Sequence, residues 1–266
     1  MGSVLRIGSV PYLNGKPLVD WFHTPEAAGR AEIAYAVPSK LATMLREDEI
    51  DVANCSIFEG LQRPGLVLIP DISISADGAV KSVRLFSRVP IGQIRSVALD
   101  TSSLTSSALT RILLREAFGI SPQYVHHPPE LDAMLSVCDA GLLIGDLKLF
   151  GPRPGTTVYD LGIGWKELTG MPFVYAGWLA REDCATVEMA RLLIEAKRWG
   201  VGSLEMLAEK WSQSMDLPLE RCQDYFLNVM DYDLTGRHLA ALHLFQQKCA
   251  EHGLIPAIHA LPILEI

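Results

Sequence analysis

Val4-Leu5-Arg6-Ile7-Gly8-Ser9-Val10-Pro11-Tyr12-Leu13-Asn14-Gly15 is the stretch whose reading decides the fold. Its first six residues alternate around Leu5 and Ile7, which predicts a strand. Pro11 to Gly15 carries turn residues, and Pro17 to Phe22 suits a short helix. Glu32 to Val37 reads as a second strand, stopped by Pro38. Ser39 is the expected N-cap of a helix with Leu41, Met44 and Leu45 on one face. Asp51 to Ser56 reads as a third strand. A βαβαβ order predicts a parallel sheet with helices on its faces.

Working outward, Leu66 to Ser75 and Val80 to Ser87 read as two strands with the Asp77-Gly78 turn signal between them. They are long enough to leave one lobe and enter another. Ser96 to Leu99 opens a second alternating unit. Leu104 to Phe118 follows as a helix with Ala108, Leu109, Ile112 and Leu113 on its buried face. Tyr124 to His126, Gly141 to Ile144 and Phe173 to Leu179 read as further strands. The last third is helical, with one stripe through Leu192, Leu193, Ala196 and Trp199. A final helix carries Leu239, Leu242, Phe245 and Cys249, with Gly253 as its stop. The expected fold class is α/β, two-lobed, with a ligand cleft between the lobes. The expected borders put 1–88 and 179–266 in the first lobe and 89–178 in the second.

Composition narrows the function. The chain has 266 residues, 49% of them hydrophobic, which supports a sizeable core and rules out wholesale disorder. A net charge of −8 with scattered Lys and Arg argues against a nucleic-acid partner. Charges, Pro or Gly break every apolar stretch well short of the ~18 residues of a membrane span. The N-terminus has no basic segment followed by an apolar run, so a cytoplasmic location is expected. Cys55, Cys138, Cys184, Cys222 and Cys249 are odd in number and widely spaced, the pattern of reduced thiols. The histidines make no metal-ligand pattern.

Asp100-Thr101-Ser102-Ser103-Leu104-Thr105-Ser106-Ser107 is the most informative local feature. A strand ends there and an amphipathic helix begins. The first-turn N–H groups lack intrahelical partners and the helix dipole is positive at that end. Plain N-capping needs one hydroxyl, and the surplus points to a neutral cradle for a carboxylate or phosphate. The loop from Ser9 to Asn14 follows the first strand, where an open α/β sheet binds ligands. Asn14 there reads equally as a ligand contact and as an Asn-Gly turn. Ser56 ends the third strand in the same topological position, where bonding to nearby backbone is the alternative. Ser82 and Ser87 alternate to opposite faces, so at most one of them meets a cleft. Gly145 permits close approach of a ligand to the backbone, and Asp146 beside it suits a cap or an acid–base group. Signatures of α/β-hydrolases, zinc proteases and dinucleotide-binding loops are absent.

Arg6-Ile7-Gly8-Ser9-Val10-Pro11-Tyr12-Leu13-Asn14 with Pro17-Leu18 resembles the opening motif of the chorismate dehydratases of the futalosine route to menaquinone. The resemblance continues through Pro70-Asp71-Ile72-Ser73-Ile74, Ser82-Val83 and Phe86-Ser87. It runs on through Asp100 to Ser106, Leu143-Ile144-Gly145-Asp146 and Asp160-Leu161-Gly162, and includes Trp165. It closes on Thr169-Gly170-Met171-Pro172-Phe173-Val174 with Trp178. The helical last third matches in general character only, and Cys55 stands where relatives often carry Pro.

The resemblance implies a type II periplasmic-binding-protein fold used inside the cell as an enzyme. Its substrate would be chorismate, dehydrated to 3-[(1-carboxyvinyl)oxy]benzoate in a cofactor-independent lyase reaction that needs no metal. It assigns Asn14 and Ser82 as catalytic. Ser9, Ser56, Ser103, Thr105, Ser106, Gly145 and Asp146 would bind substrate. Loss of the ring hydroxyl and the neighbouring proton makes the ring aromatic, so orientation, a base and hydrogen bonds to the departing hydroxyl suffice. The substrate's own enolpyruvyl carboxylate is the candidate base. A later enzyme of the same route uses a His where this chain has Gly145, and a transport receptor would need an export signal. A non-catalytic small-carboxylate-binding protein of the same fold is the alternative, and the apolar fraction permits a homodimer.

Overall fold

In a computed structural model, which describes residues 4–145 and 153–266, two five-stranded sheets share the chain. The first has the order β2-β1-β3-β10-β4, from β1 (Leu5–Ser9), β2 (Ala31–Tyr35), β3 (Val52–Ser56), β4 (Leu66–Ala76) and β10 (Phe173–Arg181). β1 pairs in parallel with β2 and β3, while β10 runs antiparallel to both β3 and β4. The second has the order β7-β6-β8-β5-β9, from β5 (Val83–Ser87), β6 (Ser96–Asp100), β7 (Gln123–His127), β8 (Ala140–Ile144) and β9 (Thr157–Asp160). There β6 is parallel to β7 and β8, and β5 is antiparallel to β8 and β9. Each sheet therefore has four strands running one way and one running against them, β10 or β5, which follows a crossing from the other lobe.

That handover moves the lobe borders away from 88/89 and 178/179. Val83–Ser87 was expected in the first lobe but pairs with β8 and β9 in the second. Phe173 to Trp178 was expected in the second lobe but zips between β3 and β4 in the first. The physical reason is strand pairing. β4 and the strand after Asp77-Gly78 form no hairpin, and Gly78 at φ +125° turns the chain across to the other sheet. Strand β5 also begins at Val83 rather than Val80.

Burial follows strand position. β3 lies inside its sheet and is buried throughout, whereas β7 sits at an edge and is mostly exposed. The outer edge of β4 is not left open. Ser73 and Ser75 pair with Tyr232 and Asp231, and Leu68 exchanges hydrogen bonds with Pro262 and Leu264. β4 kinks at Pro70-Asp71, where Asp71 sits at φ +64° and its carbonyl accepts from Lys197 Nζ at 2.6 Å.

Helices pack on both sheets: α1 (Lys16–Val19), α2 (Pro38–Arg46), α3 (Ile57–Gln62), α4 (Leu104–Phe118), α5 (Leu131–Val137) and α6 (Leu161–Thr169). The C-terminal third adds α7 (Val187–Val201), α8 (Leu204–Met215), α9 (Leu219–Asp224) and α10 (Gly236–Glu251). Pro38, not the residue after Ser39, opens α2. Its fixed φ suits the first helical position and its missing N–H is one of those left unpaired there. Helix α4 is capped by the Ser103 side chain on Ser106 N and by Gly119 at φ +68°. Where α6, β10 and α10 meet, Trp165 packs edge-on against Phe173 and Phe245, with ring centroids 5.1 and 6.0 Å away. Its indole N–H donates to the Pro172 carbonyl at 2.9 Å, anchoring the return crossing. Among the described residues no helix is long and apolar enough to cross a membrane.

Candidate active site

The cleft is lined from both lobes. Val10, Tyr12, Asn14, Pro38, Ser56, Ile74, Tyr175 and Ala176 come from the first-sheet side. Val80, Ser82, Val83, Ser103, Thr105, Ser106, Ile144 and Gly145 come from the second and from the crossing segment. The cavity is about 50 Å³. That holds a few waters at most, so the lobes are closed on each other. Among the described residues the lining has no Asp, Glu, His, Lys or Arg.

Seven of the expected site residues meet there: Asn14, Ser56, Ser82, Ser103, Thr105, Ser106 and Gly145. Ser9 does not. It is fully buried at the end of β1, and its hydroxyl makes only a 3.4 Å contact to the Val10 carbonyl, beneath the loop that carries Asn14. Gly15 sits close above it, where a Cβ would lie 3.5 Å from Ser9 Oγ. Asp146 lies outside the described residues. Of the two alternating serines, Ser82 faces the cleft, while Ser87 turns its hydroxyl to the Val89 carbonyl at 2.7 Å.

The hydroxyl cradle spans the lobes. Ser56 Oγ and Thr105 Oγ1 are 2.6 Å apart, Thr105 N donates to Ser56 Oγ at 3.1 Å, and Phe58 N donates to Thr105 Oγ1 at 3.3 Å. Ser56 thus takes the acceptor place that a carboxylate oxygen would take at the α4 N-terminus. Beneath the cradle, buried Asp100 accepts from the Ser102 N–H and hydroxyl and from Ile144 N, which ties the start of α4 to the end of β8. Burial pushes its carboxyl above the ordinary range, outweighing those hydrogen bonds.

Gly145 is required rather than permitted. It sits at φ +91°, and a Cβ there would come within 2.7 Å of the Tyr12 ring. Tyr12 shields one wall and is hydrogen-bonded to Ser102, and its burial raises its phenol pKa.

Ser82 is held by its neighbours' backbone. Asp160 accepts from Val80 N at 3.1 Å and Lys81 N at 2.8 Å while capping α6 through Gly162 N and Ile163 N. Lys81 adopts φ +61° and pairs with Asp224 on α9. The Asp160-Leu161-Gly162 motif therefore serves the site from below.

Two tyrosines that sequence reading did not single out serve the site, one in the cleft lining and one behind Ser82. Tyr175 on β10 lines it, and its hydroxyl is buried with no partner among the described residues. Tyr225 donates to Ser82 Oγ at 2.6 Å. It comes from the single wide turn Tyr225–Val229 after α9, where Met230 N reaches back five residues to the Tyr225 carbonyl at 3.0 Å. Burial pushes both phenols far above their ordinary pKa, so both stay protonated at neutral pH.

Chorismate dehydratase of Thermus thermophilus is 33% identical over 215 residues, 74% of this chain and 79% of that protein. Chorismate dehydratase of Campylobacter jejuni is 26% identical over 248 residues, 91% of this chain and 96% of that one. The periplasmic aliphatic sulphonate binding protein of Escherichia coli superposes with a TM-score of 0.63 at 17% identity, covering 100% of this chain and 95% of that one, which shows the shared fold. The menaquinone biosynthesis family profile matches residues 5–251, and the chain belongs to that family.

Proposed function

We propose that this protein is a chorismate dehydratase, a hydro-lyase forming 3-[(1-carboxyvinyl)oxy]benzoate and water, acting in the cytoplasm on the futalosine route to menaquinone. The single observation that carries the mechanism is the neutral lining. Among the described residues the cleft lining offers hydroxyls, one amide and two protonated phenols, with the protonated Tyr225 behind Ser82, and none of these is a base at pH 7.

The chemistry suits such a site. The ring carboxylate lies on the Ser56, Thr105 and Ser106 cradle at the positive end of α4. Removing the proton beside the ether oxygen sends negative charge through the ring double bond toward that carboxylate. Helix N–H groups and hydroxyls aimed at it stabilise the charge as it develops. The substrate's own enolpyruvyl carboxylate, held within reach, takes the proton. The C–O bond to the ring hydroxyl then breaks with its electron pair going to oxygen, and the proton ends there as water. No oxidant or reductant is consumed, and aromaticity drives the step. Asn14 and Ser82 orient the reacting edge. The lobes must part to admit substrate and close to exclude water.

The test is to incubate purified protein with chorismate and resolve products by chromatography and mass. An aromatic enolpyruvyl ether lighter by one water is expected. Unchanged chorismate in the presence of folded protein refutes the activity. Asn14→Ala should lower kcat roughly 100-fold; unchanged turnover and affinity would remove Asn14 from the mechanism.

A further inference from the structure

We propose that Tyr225 is a positioning residue that turns the Asn14 carbonyl and the Ser82 O–H into the cleft, building a site that reads the substrate's ring hydroxyl rather than a carboxylate. The inference rests on the activity proposed above and deepens it.

Counting protons fixes the directions. A phenol has one proton, and Tyr225 gives it to Ser82 Oγ at 2.6 Å. The Asn14 amide lies beside the same phenol oxygen. With its proton already committed, that oxygen can only accept, so Asn14 presents its Nδ2–H to Tyr225. Asn14 Oδ1 is then the other end of the amide. It is buried, lies in the cleft lining and has no partner among the described residues. Ser82 has accepted from Tyr225, so its own proton is available. In the closed cleft that proton goes to the Val80 carbonyl at 3.3 Å, a long bond for an O–H donor that a closer acceptor displaces.

The cleft therefore receives one acceptor, at Asn14, and one donor, at Ser82. A hydroxyl matches that pair because it both donates and accepts. A carboxylate only accepts, and would set its charge against the Asn14 carbonyl oxygen. The match also follows the reaction. Ser82 donates to the oxygen that gains charge as the C–O bond breaks, and Asn14 holds that oxygen's own proton in place. The relay strengthens along its length, because each hydroxyl that accepts becomes a better donor.

Tyr225 is itself locked. Its ring is buried, and the wide turn that bears it is anchored by the Lys81–Asp224 ion pair next to Ser82. Tyr225→Phe keeps the ring and removes only the hydroxyl.

The experiment measures discrimination by binding, which needs no turnover. Two non-reacting dihydro analogues of chorismate are used, with and without the ring hydroxyl, and titrated calorimetrically into wild type, Tyr225→Phe, Ser82→Ala and the double variant. Wild type is expected to favour the hydroxylated analogue at least about 10-fold. Tyr225→Phe should bring the ratio within about threefold of unity, Ser82→Ala should do the same, and the double variant should lose nothing further. With chorismate, kcat of Tyr225→Phe should fall roughly 100-fold while KM moves less than about threefold. A Tyr225→Phe protein that keeps the wild-type ratio overturns the proposal, as do losses that multiply in the double variant. Wild type that shows the ratio but leaves chorismate intact refutes the dehydratase reading alone.

Discussion

Ser56 and Thr105, on opposite lobes, bridge the cleft through hydroxyls 2.6 Å apart, and the same Ser56 oxygen accepts from the Thr105 backbone N–H. The pair latches the closed lobes, and in the proposed reaction parting it would free donors for the ring carboxylate. Thr105→Val keeps the shape and removes the hydroxyl. KM for chorismate should rise roughly 10-fold, about 1.4 kcal/mol, with kcat changing less. Steady-state kinetics decides it, and an unaltered KM would place the ring carboxylate elsewhere.

Gly145 allows a prediction with an internal control. Gly145→Ala forces a Cβ into a φ of +91° and against the Tyr12 ring, so both backbone and wall must shift. The strain costs about 1–3 kcal/mol, and kcat/KM should fall roughly 100-fold. Gly119→Ala carries a similar backbone cost at φ +68° but meets nothing within 4 Å. It should lower the melting temperature comparably and leave kcat/KM within about twofold. Equal losses of activity in the two variants would show that Gly145 acts through stability alone.

Asp160 supports Ser82 without entering the cleft lining. Its carboxylate holds the Val80 and Lys81 N–H groups and caps α6, so Asp160→Ala frees two backbone donors and an N-terminus together. A loss of about 1–2 kcal/mol is expected for the cap, with a fall in kcat larger than the rise in KM. Asp160→Asn keeps one acceptor oxygen and should retain more of both. Denaturant melts and kinetics on the two variants separate the contributions.

The parallel units and the long α4 were legible because periodicity and capping are local. The apolar spacing from Leu104 to Phe118 gives the extent of α4 in the sequence itself. The Ser/Thr cradle was legible for the same reason. The lobe borders were not, since only long-range pairing decides that β5 joins β8 and that β10 joins β3 and β4. Ser9 ends β1 as read, yet it lies outside the cleft lining with its hydroxyl on the Val10 carbonyl, a direction that alternation alone does not give. Tyr225 left no local signal. It lies in the helical third and reaches Ser82, 143 residues away, only because one turn widens to a five-residue hydrogen bond. Tyr175 gave a faint one, a phenol within an otherwise apolar strand.

The tie between α4 and α10 predicts a pH dependence with a definite sign. Glu116 on α4 accepts from Lys248 and His252 on α10. Burial alone would raise its carboxyl, but the hydrogen bonds from Lys248 and His252 outweigh burial and hold it below the ordinary carboxylate range. A carboxyl depressed in the folded state binds its proton more weakly there than in the unfolded chain. Its contribution is whole above the unfolded value of about 4.3, and is lost as pH falls through the folded value. Glu116→Gln removes the charge at every pH. The variant should therefore melt below wild type at pH 7, and the gap should narrow as pH falls below about 4. Thermal melts of both proteins between pH 7 and pH 3 follow the gap directly. A gap that stays constant across that range would mean that Glu116 contributes packing alone, and one that widens in acid would reverse the sign of the linkage.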